Sequence, residues 1–176
     1  MGGTGIDKID KVAAIMAFAR NRKIIGRTRL QKIFCLLELA GEGAGFEFSY
    51  RHYGPYCEKL SEDVRGVCAF GLAKETTGRA AWGGTYSIYE MQEAADGSSS
   101  PSGLQSELVK FCTRAEVDAV DLELAVTAAW LKSNGEERAW EKVRELKFDK
   151  ADYIDDAQEL YRKLREIAPQ LPEIPA

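Results

Sequence analysis

Histidine is nearly absent from this sequence. The single one, His52, stands among Tyr50, Tyr53 and Tyr56, just before Gly54-Pro55. General acid–base chemistry draws on histidine more than on any other side chain. A strand-end histidine among aromatics is expected to pack or hydrogen-bond. Cys57 lies nearby in the chain, but no third group stands ready to orient a thiolate–histidine pair. The four cysteines, Cys35, Cys57, Cys68 and Cys112, never fall at C-x-x-C spacing. A zinc site therefore lacks its ligand pattern, and buried free thiols in a reducing compartment are expected. A Walker loop is missing. Gly2-Gly3-Thr4-Gly5 follows no strand, so it reads as a chain start and not as a phosphate cradle. These absences lead to the expectation of no catalytic residue, no metal ligand and no cofactor.

Long apolar runs are also missing. None approaches the roughly 18 residues that a membrane helix requires. The N-terminal MGGTGIDKID has no basic start followed by an apolar core, as a signal peptide would. A cytoplasmic chain without a membrane partner is expected. Its 176 residues, 45% of them apolar, suffice for one domain, or one domain with a helical extension.

Acidic residues are missing from one stretch in particular. From Arg20 to Leu37 there is none, whereas Arg20, Arg22, Lys23, Arg27, Arg29 and Lys32 all fall there. This is the densest positive run in a chain of net charge −4. Residues 1–96 carry 13 Lys+Arg against 12 Asp+Glu, and the remainder 11 against 16. A near-neutral front and an acidic rear fit two functional parts. Solvated helix ends would explain the basic run, as would a patch facing phosphate or an acidic partner.

Leu30, Ile33, Phe34 and Leu37 fall at helical spacing, which puts Arg27, Arg29 and Lys32 largely off the apolar face, in water. Gly41, Gly43 and Gly45 end this helix. Phe46, Phe48 and Tyr50 alternate with polar residues, the pattern of a half-buried strand. Proline suits the first helical position, so the next helix is expected from about Pro55 or Tyr56, with Tyr56, Leu60, Val64 and Val67 on one face and Gly71 as its stop. Residues 72–75 and 85–89 are expected to pair as strands. Between them Gly78, Arg79, Trp82, Gly83 and Gly84 make the long loop of a wing. An earlier helix is expected over residues 6–19. Ser102 and Gln105 have capping-box spacing, so a rear helix should start near Gly103. Three more should cover residues 121–132, 136–147 and 152–168. The expected organisation is a winged-helix-like module (1–93), a linker (94–103), a helical extension packed on the module (104–168) and an extended, proline-marked tail (169–176). The fold class is α+β, mostly α, with a winged helix-turn-helix-like front half containing a small β-hairpin and a helical C-terminal half.

The run GRTRLQKIFCLLE (26–38), the aromatic strand after it, YGPYCEKLSEDV (53–64) and GLA (71–73) resemble the YwgA-like proteins of bacteria and archaea, whose function is unassigned. DLELAVTAAWLKSNG (121–135), WEKVRELKF (140–148) and an A-x-x-L-Y helix extend the likeness over most of the chain. The Leu-Gln-Lys helix and the later Gly-Pro are more distantly similar to the antitoxin-associated Panacea domain. The resemblance implies a winged-helix-like front and a helical rear, and it brings no catalytic residue.

A non-enzymatic, regulatory binding module associated with nucleic acid is therefore expected. Duplex DNA would be held through Arg22, Lys23, Arg27, Arg29, Lys32 and the wing's Arg79. The helix after Pro55 would contribute little, because Glu58, Glu62 and Asp63 outnumber Lys59 and Arg65 there and phosphate contacts need cations. Those three acids read as a solvated face, not a cation site. The alternative is a protein-interaction adaptor or antitoxin-like partner without DNA binding. There Tyr53, Tyr56 and Trp82 would serve as aromatic contacts, and the acidic rear would dimerise.

Overall fold

The computed structural model describes residues 5–95 and 101–176. The glycine-rich start (2–4) and residues 96–100 of the expected linker lie outside the described residues. The described chain is α+β, with seven α-helices and two small sheets. In order these are α1 (Gly5–Met16), β1 (Lys23–Ile25), α2 (Arg27–Leu39), β2 (Ser49–Arg51), β3 (Gly54–Tyr56), α3 (Glu58–Ala69), β4 (Ala73–Arg79) and β5 (Thr85–Met91). Then follow α4 (Gly103–Cys112), α5 (Ala119–Ser133), α6 (Ala139–Leu146) and α7 (Ile154–Ile167). Single 3-10 stretches cover Arg20–Arg22, Glu93–Ala95 and Phe148–Tyr153. Strands β1, β5 and β4 form one antiparallel sheet in that order, and β2 and β3 form a separate hairpin.

Strand β1 lies inside the basic run, where the sequence suggests no strand. It is three residues long, and only Ile24 turns inward, opposite Tyr89 of β5. Gly26 then takes φ +98, open to glycine alone without strain, and its amide donates to Ser87 O at 2.8 Å. That turn starts α2.

The aromatic strand differs from expectation. Pairing covers only Ser49–Arg51. Phe46 is buried ahead of it, its amide held by Glu38 Oε1 at 2.7 Å and its ring edge-on to Phe34. The expected helix start at Pro55 is also corrected. Pro55 sits in β3 opposite Tyr50, and α3 begins at Glu58 with Cys57 before it. A short hairpin edge tolerates proline, and two side chains of α2 fix the backbone there in extended form. The two expected strands run further than expected, through Arg79 and from Thr85 to Met91, so Gly78 and Arg79 are strand residues and the loop is 80–84.

Helix α5 is the centre of the core. Every residue from Leu122 to Ala129 is buried, because α2 covers one side while α6 and α7 cover others. Asp118 caps it, accepting from the amides of Val120 and Asp121. The capping box of α4 forms, with Ser102 and Gln105 exchanging bonds of 2.7 and 3.1 Å. Gln105 also donates to Glu42 O, tying α4 to the end of α2. The tail returns onto α7: Leu171 is buried, and Tyr161 donates to Pro172 O. No helix among the described residues is long and apolar enough to cross a membrane.

Candidate functional site

The apolar face of α2 is buried as its spacing requires, but so are Gln31 and Lys32 on the other side. The hairpin and α5 cover that side. Lys32 is 1% exposed, and its Nζ donates to Pro55 O at 2.7 Å. Burial is the main reason its pKa falls to about 8. The expectation that Lys32 is solvated is thus corrected.

Arg29 is corrected in the same way. Its guanidinium donates to Ile25 O (3.3 Å), Cys112 O (2.6 Å) and Val117 O (2.8 Å). It satisfies the orphan carbonyl at the end of α4 and fastens the α4–α5 turn to α2. Burial holds its pKa below the ordinary arginine value.

The other basic positions lie nearer to water, and most are paired. Arg22 donates to Gln92 O at 2.9 Å. Lys23 lies 3.9 Å from Glu90, and Arg27 pairs with Glu75 at 3.0 Å. Glu75 is desolvated, which opposes its ionisation, but hydrogen bonds from Ser87 and Arg27 outweigh this and hold its pKa below the ordinary value. Arg79 is exposed at the end of β4, and Trp82, 81% exposed, stands on the loop beyond it. On α3, Lys59 bonds Asp63 at 2.8 Å and Arg65 lies 3.5 Å from Glu58.

Gln31 holds the start of α3. Its Nε2 donates to Cys57 O at 3.0 Å, and its Oε1 accepts from Cys57 N at 2.9 Å. Together Gln31 and Lys32 fasten α2 to β3. Between them, the hairpin and the start of α3 opens a cleft of about 510 Å³. Of the expected contact residues, Arg27, Lys32, Tyr53 and Tyr56 line it, whereas Arg22, Lys23, Arg29, Arg79 and Trp82 lie elsewhere. Tyr56 Oη lies 3.0 Å from Glu58 and 2.9 Å from Ser61 Oγ. Tyr53, at the hairpin tip, is 55% exposed with its ring edge-on to His52.

Behind the hairpin lies a charge cluster that the sequence did not reveal. Glu123 is buried in α5, with Lys147 at 3.0 Å and Lys150 at 2.8 Å. Lys147 also donates to His52 O at 2.6 Å, and Lys150 lies over the Tyr53 ring. Two signals were present. Glu123 is an acid inside an otherwise apolar helical run, and such a group must find partners. Lys147 and Lys150, three apart, are near-neighbours late in the chain. Arg51, on the cleft rim, was also missed.

No family model, curated protein or solved structure matches the chain.

Proposed function

We propose that this chain is a non-catalytic, cytoplasmic module that recognises another protein through a winged-helix-like front half. The winged-helix assignment is supported by the order α1, β1, α2, α3, β4, β5, by the strand order β1-β5-β4, and by the loop 80–84 in the position of a wing. The likeness to the YwgA-like family belongs to the same proposal.

The observation that carries protein over DNA is the engagement of the basic run within the chain. Phosphate contacts need uncommitted Lys or Arg. Arg29 and Lys32 are turned inward, and Arg27 is paired with Glu75. In helix-turn-helix proteins the second helix of the pair enters the major groove. Here that is α3, whose two cations are matched by its own carboxylates. Tyr53 and Trp82, by contrast, present large rings to solvent, the side chains that most often anchor protein interfaces.

One observation favours duplex DNA as a second reading. Lys23 and Lys74 both stand opposite Glu90 in the sheet, Lys23 lies 3.9 Å from that carboxylate, and Arg79 is exposed on the same strand as Lys74. Binding there would follow the backbone more than the bases.

Two measurements separate the readings. Random duplex DNA is titrated at about 50 mM salt and above, where backbone binding is strong. The chain is also used as bait in native extract treated with nuclease. The proposal expects no duplex binding, together with a captured protein that is lost when Tyr53 and Trp82 are both changed to alanine. Duplex binding whose salt slope falls in a Lys23→Ala, Arg79→Ala variant would overturn it.

A further inference from the structure

We propose that the cleft between α2 and the β2–β3 hairpin receives a carboxylate from an acidic segment of the partner protein. This rests on the protein-recognition reading and narrows it to one contact.

The cleft, about 510 Å³, lies in the range of roughly 300–1,000 Å³ that holds small ligands or inserted side chains. One cation lines it from within the protein and another stands at its rim. Lys32 has three N–H donors, and among the described residues its one acceptor is Pro55 O. Arg51 lies over the Tyr56 ring, 5.8 Å from its centroid, with no carboxylate in ion-pair range among the described residues.

Behind Lys32 the charges do not balance. Lys147 and Lys150 share the single carboxylate of Glu123, and both repel Lys32 while Glu123 attracts it. Three ammonium groups thus face one buried carboxylate. A charge in such surroundings seeks a counter-ion, because the low dielectric strengthens both the repulsion and the attraction. A carboxylate in the cleft would supply the missing negative charge beside Lys32 and Arg51.

The geometry favours a carboxylate over phosphate. Glu58 lines the same cleft, and the cleft's Arg27 is already shared with Glu75. A phosphate dianion would meet Glu58 with twice the charge. The rings of Tyr53 and Tyr56 flank the opening, and aromatic walls suit a peptide chain better than a bare ion.

The test uses the full chain labelled with ¹⁵N and three probes: pentaglutamate, pentaglutamine and glutarate. Pentaglutamate is expected to shift the backbone amides of Lys32, Arg51 and Gly54, and pentaglutamine is not. Arg51→Ala, at an exposed position, should weaken pentaglutamate binding about tenfold, the effect of one charge-assisted contact, and its amide spectrum reports whether it folds. Lys32→Met should weaken it at least as much, and its amide spectrum reports whether it folds. Equal shifts from pentaglutamine, shifts confined to other basic sites, or unchanged affinity in Arg51→Ala would each overturn the proposal. Glutarate binding as tightly as pentaglutamate would overturn the protein source of the carboxylate. The two readings fail separately. An extract partner captured equally well by Arg51→Ala removes the cleft contact and leaves protein recognition standing. Pentaglutamate docking without any extract partner does the reverse.

Discussion

Lys32 Nζ lies 2.7 Å from Pro55 O, a bond that joins the middle of α2 to the β3 strand across 23 residues of chain. Gln31 makes the neighbouring pair of bonds to Cys57. The runs LQK and YGPY are therefore two halves of one fastening. A buried ammonium is costly, so its protonation depends on the fold.

That dependence has a definite sign. Lys32 falls from 10.5 to about 8 on folding, chiefly through burial. Below pH 8 both states hold the proton, so the cost of the buried charge is constant and stability does not change with pH through this group. Between pH 8 and 10.5 the unfolded chain binds more protons, so stability rises with pH, by at most about 1.4 kcal/mol per pH unit. Cys35 and Cys112, pushed up to about 12 by burial, act oppositely above their ordinary value of 9.0. The quantity to measure is thus a difference. Urea unfolding of wild type minus Lys32→Met should show a rising slope from pH 8 to 10.5. A flat difference would show that Lys32 does not titrate in this window.

Gly54 should resist substitution for two separate reasons. Its φ is +87, and a Cβ there would lie 2.4 Å from Thr127 Oγ1. Strain of this backbone type costs on the order of 1–3 kcal/mol. Gly54→Ala is expected to lower stability by at least that much. Adding Thr127→Ala should recover the steric part and leave the backbone part. Complete recovery in the double variant would mean that the φ value carries no penalty.

The helices were legible because their periodicity and caps are local. The Ser102–Gln105 box forms as its spacing requires, and Asn134 ends α5. The misreadings came where distant groups decide. Pro55 has the local signature of a helix start, but Lys32 and Gln31 hold the backbone around it extended. Arg29 and Lys32 look like solvated cations on one helix. Their partners, Cys112, Val117 and Pro55, are carbonyls from other elements, and no residue pattern within α2 encodes them. The cleft was half legible. Tyr53 and Tyr56 stood out as aromatics, while Arg51 reads as one polar position of an alternating strand.

The cysteines should react unequally. Cys35, Cys57 and Cys112 are buried and Cys68 is half-buried. Burial raises the Cys68 thiol as well, so it will be slow, but it has the most solvent contact of the four. In the native protein a maleimide is expected to label Cys68 first, with the other three reacting only on unfolding. Mass mapping after partial labelling checks this. Early modification of Cys35 or Cys112 would show that the core around α2 and α4 opens locally.

Glu123 gives the strongest stability prediction. It is 3% exposed, with Lys147 at 3.0 Å and Lys150 at 2.8 Å, and Lys147 is itself 5% exposed. Replacing a buried ion pair by apolar groups is often tolerated, but removing one partner strands the other, at a cost of roughly 3–5 kcal/mol. Glu123→Gln keeps the shape and removes the charge, leaving three lysines without a carboxylate. It should destabilise the fold by about that amount at neutral pH. Lys147 also fastens His52 O to the helical rear half, so loosening should appear first at the hairpin, as faster amide exchange around β2 and β3. Lys147→Met added to Glu123→Gln should recover part of the loss, because one stranded charge disappears. Lys150, which is more exposed, should recover less when changed in the same way. Chemical denaturation of these three variants, the two single lysine variants and wild type completes both cycles. A Glu123→Gln variant as stable as wild type would mean that the three ammonium groups do not need this carboxylate, and the charge imbalance around the cleft would lose its force.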